Sequence, residues 1–417
     1  MNVLVIGGGG REHAICRALK KSPRVDRLFC APGNGGIAGD AECVDIKATD
    51  IDGIVGFAKN NPVDFVMVAP DDPLALGLVD TLEAAGIRAF GPRKNAAIIE
   101  ASKVFSKSLM KKYGIPTAEY EVFSDLEKAV AYIHAKGAPI VVKADGLALG
   151  KGVVVAQDTQ TATDAVRSMM LDKKFGSSGL NVVIEEFMTG PEVTVLAFTD
   201  GKTLVPMLSS QDHKRAGDND VGPNTGGMGA FCPSPNYTPE IAETCMKTIF
   251  LPTVEAMKKE GRVFKGVIYF GLMLTPKGPR VVEYNARFGD PETQPILSML
   301  ETDLLDIFEA VVDERLDRQP IRWQPGAACC VVMASGGYPG HYEKGYEITG
   351  LDAVPEDITV YHAGTTLQGG KYYTNGGRVL GVTATADSLQ GAIARAYEGV
   401  RHITFKNAHF RTDIGRK

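Results

Sequence analysis

No run in this 417-residue chain approaches 18 uninterrupted apolar residues, so no segment reads as a membrane-crossing helix. The first residues, MNVLVIGGGG, carry no basic n-region and no A-x-A site, and the expectation is a soluble, cytoplasmic protein. An excess of positive charge is missing too: 45 Lys and Arg stand against 50 Asp and Glu, a net charge of −5. That balance argues against nucleic acid as a main partner, while leaving room for a local basic pocket that takes a small phosphorylated ligand. The seven cysteines form no CxxC pair and include the adjacent Cys329 and Cys330, which points to reduced buried thiols rather than a disulfide framework. No fixed-period repeat and no low-complexity tract is present.

Familiar nucleotide and nucleophile motifs are also absent. Counted from Gly7, the third glycine position of a dinucleotide fingerprint holds Glu12, and counted from Gly8 it holds His13. The second strand ends in Cys30-Ala31-Pro32 instead of the acid that would hold a ribose diol. Gly146-x-x-x-Gly150-Lys151-Gly152 fails both the Walker spacing and its final hydroxyl, and there is no GxSxG elbow.

Glycine, in contrast, is abundant: 47 residues, concentrated in GGGG, GNGG, GLALGKG, NTGGMG, SGGYPG and TNGG. Glycine clusters at the ends of apolar strands let backbone N–H groups approach phosphates, which suggests a phosphate-handling enzyme. Residues 1 to about 102 read as a parallel βαβ-type sheet, with strands Val3–Ile6, Leu28–Cys30 and Asp64–Val68 and helices over Arg11–Lys21 and Leu74–Ala85. Beyond Pro92 a helix spans Ser102–Tyr113, and Ser124-x-x-Glu127 reads as a capping box for the next. Strand 138–143, a glycine loop and strand 153–156 make a hairpin flap. Strands 263–274 and 281–285 follow, then a surface connection over 313–324 and a small α/β unit.

Lys143 ends an apolar strand against the flap that carries Lys151. A lysine there is stabilised by an anion, and a triphosphate fits, with a snorkelling strand-end lysine as the alternative. Glu185 and Glu186 close another strand, where carboxylates could accept from ribose hydroxyls and the strand backbone could read an adenine edge. Glu283 and Asn285 share one face of a strand, two oxygen donors that suit a divalent ion shared with phosphates, and Arg287 follows on that face. Between them, residues 211–229 are too polar and glycine-rich to pack and read as a functional loop whose mixed charges fit a zwitterionic and a phosphorylated substrate. His213 in that loop is a general-base candidate, a substrate-positioning group or a solvated histidine.

Lysine before a glycine flap, paired glutamates and a late Glu-x-Asn resemble the ATP-grasp superfamily. The runs QDHKRAGDNDVGPNTGGMGA and RFGDPETQ, with VLVIGGGGREHAI, APGNGG, VAPDDPLALGLVD and SKVFSK in order, resemble the glycinamide ribonucleotide synthetase family over nearly the whole chain. One departure is Asp71, where that family is expected to carry Glu. The resemblance implies an α/β and α+β multidomain chain: an N-terminal parallel-sheet, substrate-binding domain (1–102), a two-lobed ATP-grasp core (103–325, small flap-bearing lobe about 118–190) and a small C-terminal α/β domain (326–417). It implies a monomer that ligates glycine to 5-phosphoribosylamine with ATP, through glycyl phosphate, as the second step of de novo purine biosynthesis.

By the same resemblance, Lys103 and Lys143 meet the ATP phosphates under the loop bearing Gly146, Gly150, Lys151 and Gly152. Glu185, Glu186, Phe187 and Glu192 line adenine and ribose, and Glu283 and Asn285 hold Mg²⁺ or Mn²⁺. Gly9 and Gly10, with Asn34 and Gly35, are assigned to the ribose phosphate, where a helix start favours an anion. Asp212, Lys214, Arg287, Asp290, Pro291 and Glu292 border the amine and glycine sites, and Arg287, Lys143, Asp212 and His213 are the catalytic candidates. A nucleotide-binding regulator without turnover is the reading from another class, and the complete set of Lys143, Glu283, Asn285 and Arg287 argues against it. Another purine-pathway ATP-grasp ligase or carboxylase is disfavoured by the RFGDPETQ and NTGGMG runs.

Overall fold

The computed structural model describes residues 1–147, 152–171 and 180–416. Strands β1 (Asn2–Gly7), β2 (Arg27–Pro32), β3 (Glu42–Cys43), β4 (Phe65–Val68) and β5 (Arg88–Phe90) form a parallel sheet in the order β3-β2-β1-β4-β5. Side chains alternate across a strand, so β1 needs cover on both faces. Val3 and Val5 pack with Ile15 and Leu19 of α1 (Gly10–Lys20). Leu4 and Ile6 pack with Ile54 of α2 (Ile51–Asn60) and with Leu78 and Leu82. The helix expected over 74–85 is two helices, α3 (Asp71–Leu76) and α4 (Leu78–Ala84), because Gly77 takes a left-handed conformation at φ +96°.

Helices α5 (Lys94–Ala101) and α6 (Lys103–Tyr113) lead into the small lobe, and Ser102 caps α6 by accepting from Phe105 N–H at 3.1 Å. That lobe holds β6 (Tyr120–Phe123), α7 (Leu126–Lys136), β7 (Ile140–Ala144), β8 (Val153–Ala156), α8 (Thr159–Met170) and β9 (Val182–Glu186), with sheet order β6-β9-β7-β8. It has a core of its own around Ile133, Val142, Val166 and Ile184. The cap of α7 is Asp125, one residue past the expected Ser124: Asp125 is extended and its carboxylate accepts from Lys128 N–H at 3.0 Å. The hairpin of β7 and β8 is present, with Lys143 opposite Val153; Gly150 and Lys151 lie outside the described residues.

Next come β10 (Glu192–Thr199) and β11 (Leu204–Pro206), then β12 (Gln211–Asp212), β13 (Arg215–Gly217), β14 (Val221–Asn224) and β15 (Gly229–Cys232). The stretch expected to lack packing therefore holds three short strands and runs into a fourth, β15, which is fully buried. Its partners are remote. β15 pairs with β18 (Ala327–Ser335), and Arg411 near the C-terminus, itself buried, ties Asp220 at 2.9 Å and the Arg215 carbonyl at 3.1 Å. Helices α9 (Pro239–Cys245) and α10 (Leu251–Lys259) precede β16 (Gly266–Thr275) and β17 (Gly278–Asn285), which complete the large-lobe sheet β11-β10-β16-β17.

Helices α11 (Thr293–Ser298) and α12 (Leu304–Val312) pack Ile296 and Phe308 into the core that Val3 and Val5 enter, so the N-terminal sheet and the large lobe are joined by continuous apolar contact. The C-terminal unit adds β19 (Glu347–Ile348), β20 (Ile358–His362), β21 (Thr365–Gln368), β22 (Lys371–Thr374), β23 (Arg378–Ala386), α13 (Leu389–His402) and β24 (Ala408–His409). Its main sheet runs β12-β15-β18-β23-β20, with β24 beside β18, so strands from residues 211–232 complete it. No helix among the described residues is long and apolar enough to cross a membrane.

Candidate active site

A cavity of about 1060 Å³ lies where both lobes, Arg11 of α1 and the C-terminal unit meet. Lys103, Lys143, Gly146, Gly152, Glu185, Glu186, Phe187 and Glu192 line it, as do Asp212, His213, Lys214, Glu283, Asn285, Arg287, Asp290 and Glu292. Gly9, Gly10, Asn34, Gly35 and Pro291 do not.

At the end formed by the flap hairpin, Lys143 projects from β7 and is 5% exposed. Its Nζ meets Glu185 Oε2 at 3.0 Å and donates to the Val282 carbonyl at 3.1 Å. The other oxygen, Glu185 Oε1, faces Lys107 Nζ at 3.1 Å. Lys107 also donates to Thr117 Oγ1 at 2.8 Å, and burial lowers it to about 8 against the pull of Glu185. Lys103, the first residue of α6, donates to the Gly146 carbonyl at 2.8 Å where the flap loop begins, and burial lowers its pKa. Glu186 differs from its neighbour: it is exposed and holds Arg280 at 3.0 Å and Glu119 N–H at 3.0 Å. Phe187 is 37% exposed.

Glu283 and Asn285 stand two residues apart on β17, as the strand period requires. Burial raises Glu283, but Lys214, Lys143, Lys103 and Arg287 outweigh it and hold the carboxylate below its usual range. With its amide oriented to satisfy both ends, Asn285 donates to Glu100 Oε1 at 3.1 Å and to the Tyr284 carbonyl at 3.0 Å, which directs its own carbonyl oxygen away from those two acceptors. Among the described residues no three His, Cys, Asp or Glu side chains gather to hold a metal. One carboxylate and one amide oxygen fit a hard divalent ion that takes its remaining ligands from phosphates and water.

The opposite wall is rich in carboxylates. Lys214 meets Glu192 at 3.1 Å and Glu283 at 3.7 Å. Asp212 is raised to about 7, by burial first and then by Glu292, Glu192 and Glu283, against the pull of Lys214. Glu292 is buried and accepts from Tyr269 Oη at 3.0 Å, which in turn contacts Thr194 Oγ1 at 3.0 Å. His213 is buried, and its Nε2 accepts from Gly415 N–H at 3.3 Å, so one ring nitrogen is engaged by the C-terminal segment. Arg287 pairs with Glu100 at 2.8 Å.

The two N-terminal glycine turns sit behind this wall. A Cβ at Gly10 would lie 2.6 Å from Gln294 Nε2 and 3.7 Å from Asp290 Oδ1. Gly9 N–H donates to Glu12 Oε2 at 2.6 Å, so the start of α1 holds a carboxylate of its own. Asn34 donates to the Gly8 and His362 carbonyls at 3.0 and 2.8 Å and accepts from Gly36 and Ile37 N–H at 2.9 Å, tying both turns to β20. Gly35 N–H donates to the Thr365 carbonyl at 3.1 Å.

Three family profiles match in succession: Phosphoribosylglycinamide synthetase N domain over residues 1–100, its ATP-grasp (A) domain over 101–293 and its C domain over 328–417. The chain belongs to the phosphoribosylglycinamide synthetase family. Members of this family are ATP-dependent, ADP-forming ligases of purine biosynthesis. The phosphoribosylamine–glycine ligase of Rhodopirellula baltica is 49% identical, with 100% of this chain and 97% of that protein covered. That of Listeria monocytogenes is 48% identical, with both chains covered in full. The crystal structure of the Thermotoga maritima phosphoribosylamine–glycine ligase is 33% identical, covers 100% of both chains and superposes with a TM-score of 0.88. A biotin carboxylase domain from Hydrogenobacter thermophilus, 17% identical over 98% of this chain and 91% of its own, shares the fold at a TM-score of 0.75.

Several residues at the cavity have little or no signal in the sequence. Lys107 lies four positions after Lys103, on the same helix face, and that spacing was its signal. Glu100, a lone acid in the apolar helix KNAAIIEA, is buried: its Oε2 accepts from Ala286 N–H at 2.7 Å while Arg287 and Asn285 share Oε1. Arg11 donates to Glu12 at 2.6 Å and to the Phe288 carbonyl at 3.0 Å, which links α1 to the loop after β17. Tyr269 announces itself by no local pattern.

Proposed function

We propose that this cleft joins the carboxylate of glycine to the amine of 5-phosphoribosylamine while ATP becomes ADP and phosphate. One observation carries the reading: Lys103 and Lys143 converge with Glu283, Asn285 and Arg287 in a single cavity that also sets the Asp212 and Glu292 carboxylates near Lys214. The cationic end suits a triphosphate and the acidic wall suits the ammonium of glycine.

In the first step a glycine carboxylate oxygen attacks the γ-phosphorus and the bond to the β,γ-bridging oxygen breaks, giving glycyl phosphate and ADP. Lys103, Lys143 and Arg287 neutralise the phosphoryl oxygens, and no protein nucleophile is needed. Glu283 and Asn285 would hold Mg²⁺ or Mn²⁺, which would supply further neutralisation of the phosphates. In the second step the amine nitrogen attacks the acyl carbon, the bond to phosphate breaks and the nitrogen releases a proton. Asp212, raised to about 7, accepts that proton. Glu292 and Asp290 hold the glycine and amine groups, with Lys214 between the carboxylates and His213 as a positioning group. Glu185, Phe187 and Glu192 line the nucleoside, and the 146–152 loop covers the phosphates, Gly150 and Lys151 being assigned there from sequence alone.

The start of α1 is assigned to the ribose phosphate, which would have to displace the Glu12 carboxylate that the Gly9 amide holds at 2.6 Å. Asn34 holds that turn through the Gly8 carbonyl, and Gly35 anchors the second turn to Thr365. Seven free cysteines support a reducing, cytoplasmic setting. The test is ADP release with glycine, ATP and freshly generated phosphoribosylamine, each omitted in turn. ADP formation that needs glycine supports the reading, and turnover indifferent to glycine overturns it.

A further inference from the structure

The glycine clusters SGGYPG (335–340) and TNGG (374–377) lie far along the sequence from the nucleotide and metal motifs, yet both end at the cavity. They sit at the end of β18 and the start of β23, neighbouring antiparallel strands, and are laced together by Ser335, whose N–H donates to the Gly377 carbonyl and whose hydroxyl donates to the Gly376 carbonyl, both at 2.8 Å. A Cβ at Gly377 would lie 2.3 Å from the Tyr338 ring, so only glycine leaves room for that ring. Tyr338 and Arg378, the residues these clusters seat, both line the cavity.

Each reaches the same loop. Tyr338 Oη accepts from Gly226 N–H at 3.0 Å. Arg378 donates through NH1 to the carbonyls of Gly226 at 2.7 Å, Gly227 at 3.4 Å and Asp290 at 2.6 Å, and its NH2 lies 3.4 Å from Asp290 Oδ2. One guanidinium thus spans two segments that are remote in sequence, NH1 bonding carbonyls of both and NH2 facing the Asp290 carboxylate. The loop is shaped for it. A Cβ at Gly226 would lie 3.0 Å from Arg378 Cζ, and one at Gly227, where φ is +114°, would lie 2.5 Å from Pro291 Cδ.

We propose that Arg378 and Tyr338 are positioning residues of the ligation step: they hold the 224–227 loop against the 290–292 segment and so set the width of the glycine and amine sites. The inference rests on the assignment of those segments to the two substrates. It gives the C-terminal unit a part in the reaction.

The test measures kcat and KM for glycine and phosphoribosylamine, with ATP affinity measured separately by titration, in Arg378→Met, Arg378→Lys and Tyr338→Phe. In Arg378→Met, kcat/KM for glycine and phosphoribosylamine is expected to fall on the order of 100-fold with ATP affinity unchanged. Arg378→Lys should recover at least tenfold of that loss, and Tyr338→Phe, which removes one hydroxyl, should cost about fivefold. Wild-type kcat/KM in Arg378→Met overturns the positioning role, as does an equal loss of ATP affinity. Wild-type turnover that ignores glycine would instead remove the substrate assignment, so the two failures are distinguishable.

Discussion

Lys107 and Lys143 hold the two oxygens of one buried carboxylate, Glu185, at 3.1 and 3.0 Å. One lysine comes from α6 and the other from β7, so the acid on β9 binds the approach helix to the small-lobe sheet. Two ammonium groups share one anion, and removing the anion is a different act from removing a cation.

Glu185→Ala leaves both ammonium groups buried without their carboxylate, and breaking a buried pair this way costs roughly 3–5 kcal/mol. Lys107→Met keeps the 3.0 Å contact between Lys143 and Glu185 and should cost less. Denaturant unfolding of the two variants beside the wild type checks the order. If Lys107→Met proved the more damaging, the triad would not be what stabilises this junction.

Asp212 carries the pH prediction. Its carboxyl titrates near 7, chiefly because it is buried, and below that pH it is protonated and cannot accept the proton of the attacking amine. The rate of amide formation should therefore rise with pH through about 7 in the wild type. Asp212→Asn should lower the rate and flatten that rise, which a pH–rate profile at saturating glycine would reveal. A profile in Asp212→Asn that still climbs as in the wild type would move the base elsewhere.

Much of the site was legible because its signals are local. Lys143 follows an apolar strand, and Glu283 and Asn285 obey a two-residue period, so residue type and spacing place them without knowledge of the fold. The parallel sheet was legible for a related reason: VLVI has no polar position and must be covered on both faces. What escaped was everything that depends on a distant partner. Glu100 reaches Ala286 across 186 residues, and Arg378 reaches Gly226 across 152. The 211–229 stretch looked coreless because the strand that pairs with β15 and the arginine that staples β13 and β14 lie in the last quarter of the chain. The glycine turn at the start of α1 read as an open anion site, and the structure shows its Gly9 amide occupied by Glu12 three residues later.

Arg411 supplies a test of that remote staple. Its guanidinium is fully buried and binds Asp413 through Nε and NH2, each at 2.8 Å, with Asp220 and the Arg215 carbonyl on NH1. Arg411→Met should loosen the hairpin of β13 and β14 while leaving the small lobe intact. Amide exchange over 215–224 should then accelerate roughly tenfold for every 1.4 kcal/mol of local stability lost. Unchanged exchange there would mean that the hairpin stands without the C-terminal segment.

Glu100 bears on the proposed metal site through Asn285. Its Oε1 takes Arg287 at 2.8 Å and the Asn285 amide at 3.1 Å, while Oε2 takes Ala286 N–H at 2.7 Å, so one carboxylate orients three consecutive residues. Glu100→Gln keeps the shape but offers only one acceptor oxygen, so either Ala286 N–H or the Arg287 and Asn285 donors that share Oε1 lose their partner. Groups that orient a metal ligand typically account for roughly 10–100-fold in metal affinity. Glu100→Gln should therefore weaken Mn²⁺ binding by about that factor, with Glu100→Asp less affected, whereas Glu283→Ala, which deletes a ligand, should abolish glycine-dependent ADP formation in a folded chain. Direct Mn²⁺ titration by electron paramagnetic resonance reads the first effect without turnover. Wild-type Mn²⁺ affinity in Glu100→Gln would confine Glu100 to holding Arg287 and leave Asn285 to be oriented by β17 alone.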